Sequence, residues 1–145
     1  MRSKTLLVSN IFATVWTGIM LCSNIAFSAK GGAQYFVWSN YANGFLNELL
    51  GSLEELQIFM TLINVLSVFV GLHTFLFVLA TIFGWIGYIC KGAGFALSAA
   101  ILYLIGTLLC PIFILSGLPI IILGFVGQAC QRKLNRINKN TVAIV

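Results

Sequence analysis

The sequence predicts an all-α integral membrane protein, a four-helix bundle with a short interfacial helix in its first outer loop. Three observations carry that expectation. From Leu56 to Cys130 the chain runs 75 residues with Lys91 as the single charged side chain. A water-facing surface needs charged and polar groups to cover it, so a run of this kind belongs among lipid tails. A second apolar run, Thr5 to Ala29, precedes it. The whole chain is 60% hydrophobic and 8% charged, against about 45–50% and about 25% in ordinary globular proteins. At about 20 residues per crossing, 145 residues leave room for one compact domain of four or five helices.

The first span is expected at about 5–29. Its apolar stretch, Leu6 to Phe27, follows Arg2 and Lys4 and has 22 residues. A secretory apolar region has about 7–15, so a retained helix is expected, although Ala26-Phe27-Ser28 resembles a small-residue cleavage site. Asn10, Thr14, Thr17, Asn24 and Ser28, with Leu21 between them, follow alternating steps of four and three. At about 100° per residue they fall within roughly ±40° of one line. A polar face avoids lipid, so it is expected to meet other helices or to line a pathway.

Lys30-Gly31-Gly32 should stop this helix. The outer loop, 30–55, then carries Tyr35, Phe36, Trp38, Tyr41 and Phe45 among Asn and Ser. Amphipathic rings suit the headgroup zone, so Trp38 and Tyr41 are expected to touch lipid headgroups. Phe45, Leu46, Leu49, Leu50 and Leu53 have helical spacing, which predicts a short interfacial helix over 44–50. Ser52-Leu53-Glu54-Glu55 reads as a capping box that opens the next helix.

That second span, 56–90, is longer than one crossing needs. It lacks the proline or polar turn that two crossings would require, so one long helix is expected, with a kink at Gly84 and Gly87. Thr61, Asn64, Ser67, Gly71, Thr74 and Thr81 form a small-polar stripe suited to close packing. Lys91-Gly92 makes the next turn. Residues 93–130 then hold two minimal spans, 93–110 and 112–130, if the hairpin falls at Cys110-Pro111. Turn chemistry favours Ser116-Gly117-Leu118-Pro119 instead. The first position gives balanced helices and is the expectation. Gly94 with Ser98, and Gly117 with Gly124, offer small surfaces for packing. A polar, basic tail, 131–145, follows and is expected to fray at its end.

Charge sets the orientation. With both termini cytosolic, Arg2, Lys4, Lys91, Arg132, Lys133, Arg136 and Lys139 lie inside, and Lys30 alone lies outside. The tail cations are expected at lipid headgroups rather than on nucleic acid. A cell membrane is the expected location.

Catalytic inventory is thin. All three carboxylates lie within Glu48 to Glu55, and their place beside a capping box favours helix-start electrostatics over acid–base work. The sequence has no CxxC, HExxH, Gly-rich phosphate loop or nucleophile elbow. None of the four cysteines lies in the outer loop, which argues against a disulfide framework. Cys90 beside Lys91 and Cys130 before Arg132 sit where acylation occurs, or are simply small membrane-embedded residues. No catalytic, metal or cofactor site is therefore expected. His73, the one histidine, has no ligating residue at helical spacing. It lies off the small-polar stripe, so it faces a different neighbour or a proton path. No acidic residue in any span would hold it charged, and a neutral, hydrogen-bonded imidazole is expected.

Two spans, an outer segment and a second hairpin resemble the layout of tetraspanins and claudins. Those families carry outer-loop cysteines and this chain has none there, so only topology is shared. The expected function is non-enzymatic: an interaction or accessory subunit, in a homo-oligomer or with other membrane subunits. The rival expectation is a small transporter or channel using the polar faces of spans 1 and 2 with His73.

Overall fold

The computed structural model describes residues 2–32, 44 and 53–142, and the side chains of all of these except 53–56, 141 and 142. Regular structure among them is entirely helical. In chain order it comprises α1 (Lys4–Ala29), α2 (Leu53–Ile89), α3 (Ala93–Leu109), a 3-10 turn (Pro111–Phe113) and α4 (Ile114–Val142). Three segments are long and apolar enough to cross a membrane: Lys4–Ala29, Gln57–Ile89 and Pro111–Asn140. The third expected span is an apolar helix of 17 residues, about 26 Å long. Trp38, Tyr41 and the expected interfacial helix over 44–50, Gly44 apart, lie outside the described residues, as do the capping side chains of Ser52 and Glu55.

Local chemistry explains the helix ends. Ser3 caps α1, its hydroxyl accepting from Leu6 N at 3.3 Å. At the other end Lys30 N–H bonds Ala26 O, and Gly31 and Gly32 take φ values of 90° and 61°, conformations glycine adopts without strain. Between α2 and α3 the left-handed position is filled by Lys91, at φ 55°, while Gly92 N–H bonds back to Gly87 O. The α3–α4 turn falls at Cys110-Pro111: Cys110 leaves helical geometry and Pro111 opens the 3-10 turn. Pro119 lies inside α4 and, lacking an N–H, costs that helix its bond to Leu115 O.

The helices alternate in direction and close into a ring, each packing on the next and α4 returning to α1. Ala13, Phe77, Ala80, Ala99, Tyr103, Ile120 and Ile121 form the centre. Ala13, Ala80 and Ala99 in that centre let the helix backbones approach closely. α2 runs unbroken through Gly84 and Gly87, the expected kink positions, and neighbours come closest there. A β-carbon on Gly84 would lie 2.6 Å from Asn10 Oδ1, and one on Gly87 would lie 2.8 Å from Ala96 N. Gly117 and Gly124 likewise meet Thr107 and Ala100. Gly94 instead faces open space and Ser98 is exposed.

Helix α4 continues through the basic tail to Val142, and the expected frayed end, 143–145, lies outside the described residues. No glycine or proline interrupts it after Gly127, and Gln131 is fully buried against the start of α1. The helices also differ in depth. The α3–α4 hairpin rises only to the level of Trp16 and His73, whose rings lie 6.2 Å and 5.2 Å from Phe113. α2, at 37 residues and about 56 Å, runs far past it. None of its residues from 57 to 72 is buried, whereas from His73 onward a residue is buried every three or four positions.

Candidate functional site

The polar residues of α1 and α2 meet as a seam of hydrogen bonds. Asn10, buried, donates from Nδ2 to Gly84 O at 2.9 Å. Thr17 and Thr81 share a bond of 3.0 Å, and Tyr103 of α3 reaches the same Thr81 hydroxyl at 3.0 Å. Thr81 gives its own proton to Phe77 O at 2.8 Å, so Thr17 and Tyr103 are the donors. Half-buried Asn24 donates to Thr74 Oγ1 at 2.6 Å and to Met20 O at 3.0 Å. Thr14 is exposed, yet its hydroxyl accepts from Trp85 Nε1 at 2.9 Å and donates to Asn10 O at 2.7 Å.

One pattern recurs. Thr14, Thr74 and Thr81 each donate to the carbonyl four residues back and accept from another helix. No free hydroxyl proton is left in an apolar setting, and the lone pairs become acceptors for Trp85, Asn24, Thr17 and Tyr103. The seam consumes its own polarity.

His73 leaves this seam and turns to α3. It is fully buried, and its Nδ1 donates to Gly106 O at 2.7 Å. Gly106 lies in the last turn of α3, where carbonyls lack the usual partner four residues on, so the imidazole caps a helix end. A carbonyl can only accept, which places the proton on Nδ1 and leaves Nε2 with a lone pair when the ring is neutral. That Nε2, and Trp16 Nε1, are buried with no hydrogen-bond partner among the described residues. Phe77 lies 4.3 Å from the imidazole on one side and Phe113 5.2 Å away.

The stripe on α2 divides. Thr74 is buried in the seam, while Thr61 and Asn64 are exposed and Ser67 is half-buried. Thr61 donates to Gln57 O of its own helix at 3.0 Å. No side-chain hydrogen bond joins Asn64 or Ser67 to another described residue. These three sit on the part of α2 that outruns the hairpin, so the expected close packing is absent there among the described residues.

A polar cluster that sequence reasoning missed ties the chain ends together. Ser3 N–H donates to Gln131 Oε1 at 2.9 Å, Gln131 Nε2 donates to Asn135 Oδ1 at 2.8 Å, and Asn135 Nδ2 donates to Lys91 O at 2.8 Å. Gln131 and Asn135, four apart on one helix, were the available signal. Arg2 lies over the Tyr88 ring, 5.4 Å from its centroid. Arg132, Lys133, Arg136 and Lys139 are exposed along the last turns of α4.

Among the described residues no group of His, Cys, Asp and Glu could hold a metal ion. Cys110 is buried and Cys22, Cys90 and Cys130 are exposed, all four as free thiols. Compared with known proteins, the chain matches no family model, no curated protein and no solved structure, so its functional reading rests on geometry.

Proposed function

We propose that this chain is a small polytopic membrane protein, with no chemistry of its own, that acts as an interaction or accessory subunit of a membrane complex or homo-oligomer. One observation supports the reading: α2 extends past the hairpin, where the Asn64 and Ser67 side chains have no hydrogen-bond partner among the described residues and Ile58, Leu62, Val65, Leu66, Val68 and Phe69 are exposed. Polar amides on an apolar helix are costly facing lipid, and a neighbouring helix relieves that cost. The seam adds support, since its polar groups are engaged with one another rather than facing a water path. Both termini are cytosolic in this proposal, the loop 30–55 is outer, and the cell membrane is the host. The lipid bilayer is the first partner; no nucleic acid is involved.

Native mass of the detergent-purified chain, with identification of whatever co-purifies, tests the proposal. A defined oligomer or a stoichiometric second subunit is expected. Asn64→Leu should weaken that association about threefold, since interhelical hydrogen bonds in membranes average about 0.6 kcal/mol. A lone monomer whose reconstituted vesicles show a pH-dependent flux, lost in His73→Gln, would sink the proposal. The buried lone pair of His73 favours that transporter as the alternative reading.

A further inference from the structure

The end of the bundle that carries both termini holds seven of the eight cations, and no acidic side chain of the chain lies outside Glu48 to Glu55. The segments that carry them are held together. The Ser3–Gln131–Asn135–Lys91 network clamps the start of α1 and the α2–α3 turn onto α4, and Tyr88 seats the Arg2 guanidinium. Two open grooves of about 420 and 430 Å³ flank α4 there. Arg132, Lys133 and Arg136 line the first. Arg2, Lys4 and Lys133 line the second, together with Cys130, Leu134 and Ile137. Lys133 belongs to both.

We propose that the groove between the start of α1 and α4 binds an anionic phospholipid, its phosphate seated among Arg2, Lys4 and Lys133. Three cations with no neighbouring carboxylate side chain suit a phosphodiester, whose charge is met by guanidinium and ammonium donors. The apolar share of the lining suits a lipid over a fully hydrated free phosphate. The groove also lies where the apolar part of α4 gives way to its basic turns, the depth of a headgroup. This goes beyond diffuse attraction of the tail to a charged surface, because the site needs α1 and α4 held together.

The test uses the full chain in detergent micelles, with phosphatidylglycerol as probe, phosphatidylcholine as zwitterionic control and inorganic phosphate as competitor. Phosphatidylglycerol should bind, phosphatidylcholine should not, and equimolar phosphate should not displace the bound lipid. Lys133→Gln should weaken binding about fivefold, since one cation near an anionic lipid surface contributes about 1 kcal/mol. Lys139→Gln makes the same charge change on the same helix but lines neither groove, and should leave binding nearly unchanged. Equal losses from the two variants would reduce the site to diffuse attraction and overturn it. Displacement by phosphate, or equal binding of the zwitterionic lipid, would overturn the lipid as occupant. Arg2→Gln serves as a second groove variant should Lys133→Gln fail to elute as the parent does.

Discussion

His73 gains its place from one backbone carbonyl. The last turn of α3 leaves Gly106 O without its intrahelical partner, and the Nδ1–H supplies one at 2.7 Å. A glutamine amide also donates, so His73→Gln should change thermal stability little. His73→Leu should cost about 1–3 kcal/mol, the penalty for leaving a buried carbonyl unmet, read as a lower melting temperature in detergent. Equal melting of the two variants would show that the bond contributes nothing. Lys91 is a second residue-scale case. Its φ of 55° puts a side chain where glycine is at ease, and left-handed geometry costs other residues roughly 1–2 kcal/mol. Lys91→Gly should therefore raise stability by about that amount, while the Lys91 carbonyl stays available to Asn135. A lower melting point would place the value of Lys91 in its charge rather than its backbone.

Helix faces are decided by size before polarity. On α1 the buried residues are Leu6, Ser9, Asn10, Ala13, Thr17 and Met20. Relative to the polar line through Asn10, Thr14, Thr17, Leu21 and Asn24, this face is rotated by roughly 50°, which carries Thr14 and Leu21 to its exposed margin. Ala13 and Ser9 occupy the centre because they let α2 and α4 come near. At Gly127 the backbones of α1 and α4 themselves come close, and a β-carbon there would lie 2.8 Å from Leu6 Cα. Gly127→Ala forces α1 and α4 apart and should cost about 1–3 kcal/mol, the usual range for overpacking. Gly18→Ala, on the same bundle but with nothing within 4 Å of the new carbon, should be neutral or mildly stabilising. Matched melting curves of the two variants would refute close α1–α4 packing.

At the scale of the whole molecule, charge and length set topology. Seven cations gather at one end and Lys30 stands alone at the other. In a cysteine-free background, Asn138→Cys should resist an impermeant thiol reagent applied outside intact cells, while Ser39→Cys should react. Labelling of Asn138→Cys from outside would overturn the orientation proposed above. Length produces the other molecular feature, the overhang of α2 beyond a hairpin whose rising helix has only 17 residues. The overhang is where the assembly proposal concentrates, and Asn64→Leu reads it directly.

Much of this molecule is legible in one dimension. Residue chemistry alone marks the helical class, the stop at Lys30-Gly31-Gly32, the turn at Lys91-Gly92 and the uninterrupted length of α2, because paired glycines, charge and unbroken apolarity act locally. Proline at 111 marks the second hairpin, although turn-forming residues at 116–119 compete for it. The continuation of α4 through its cations was open to the same reading, since Gln131 and Asn135 sit one helical turn apart. Partner choice was not legible. Among lipid tails an apolar face is as comfortable as a buried one, so hydrophobic periodicity does not say which side meets protein. Only the packed helices decide that Thr81 serves both Thr17 and Tyr103, that His73 caps α3, and that Asn10 fits because residue 84 has no side chain. They also decide that Arg2 and Lys4 share one groove with Lys133, more than 120 positions further along the chain. Such relations depend on the rotation and depth of each helix, and these are set by close contacts between distant residues that no local pattern encodes.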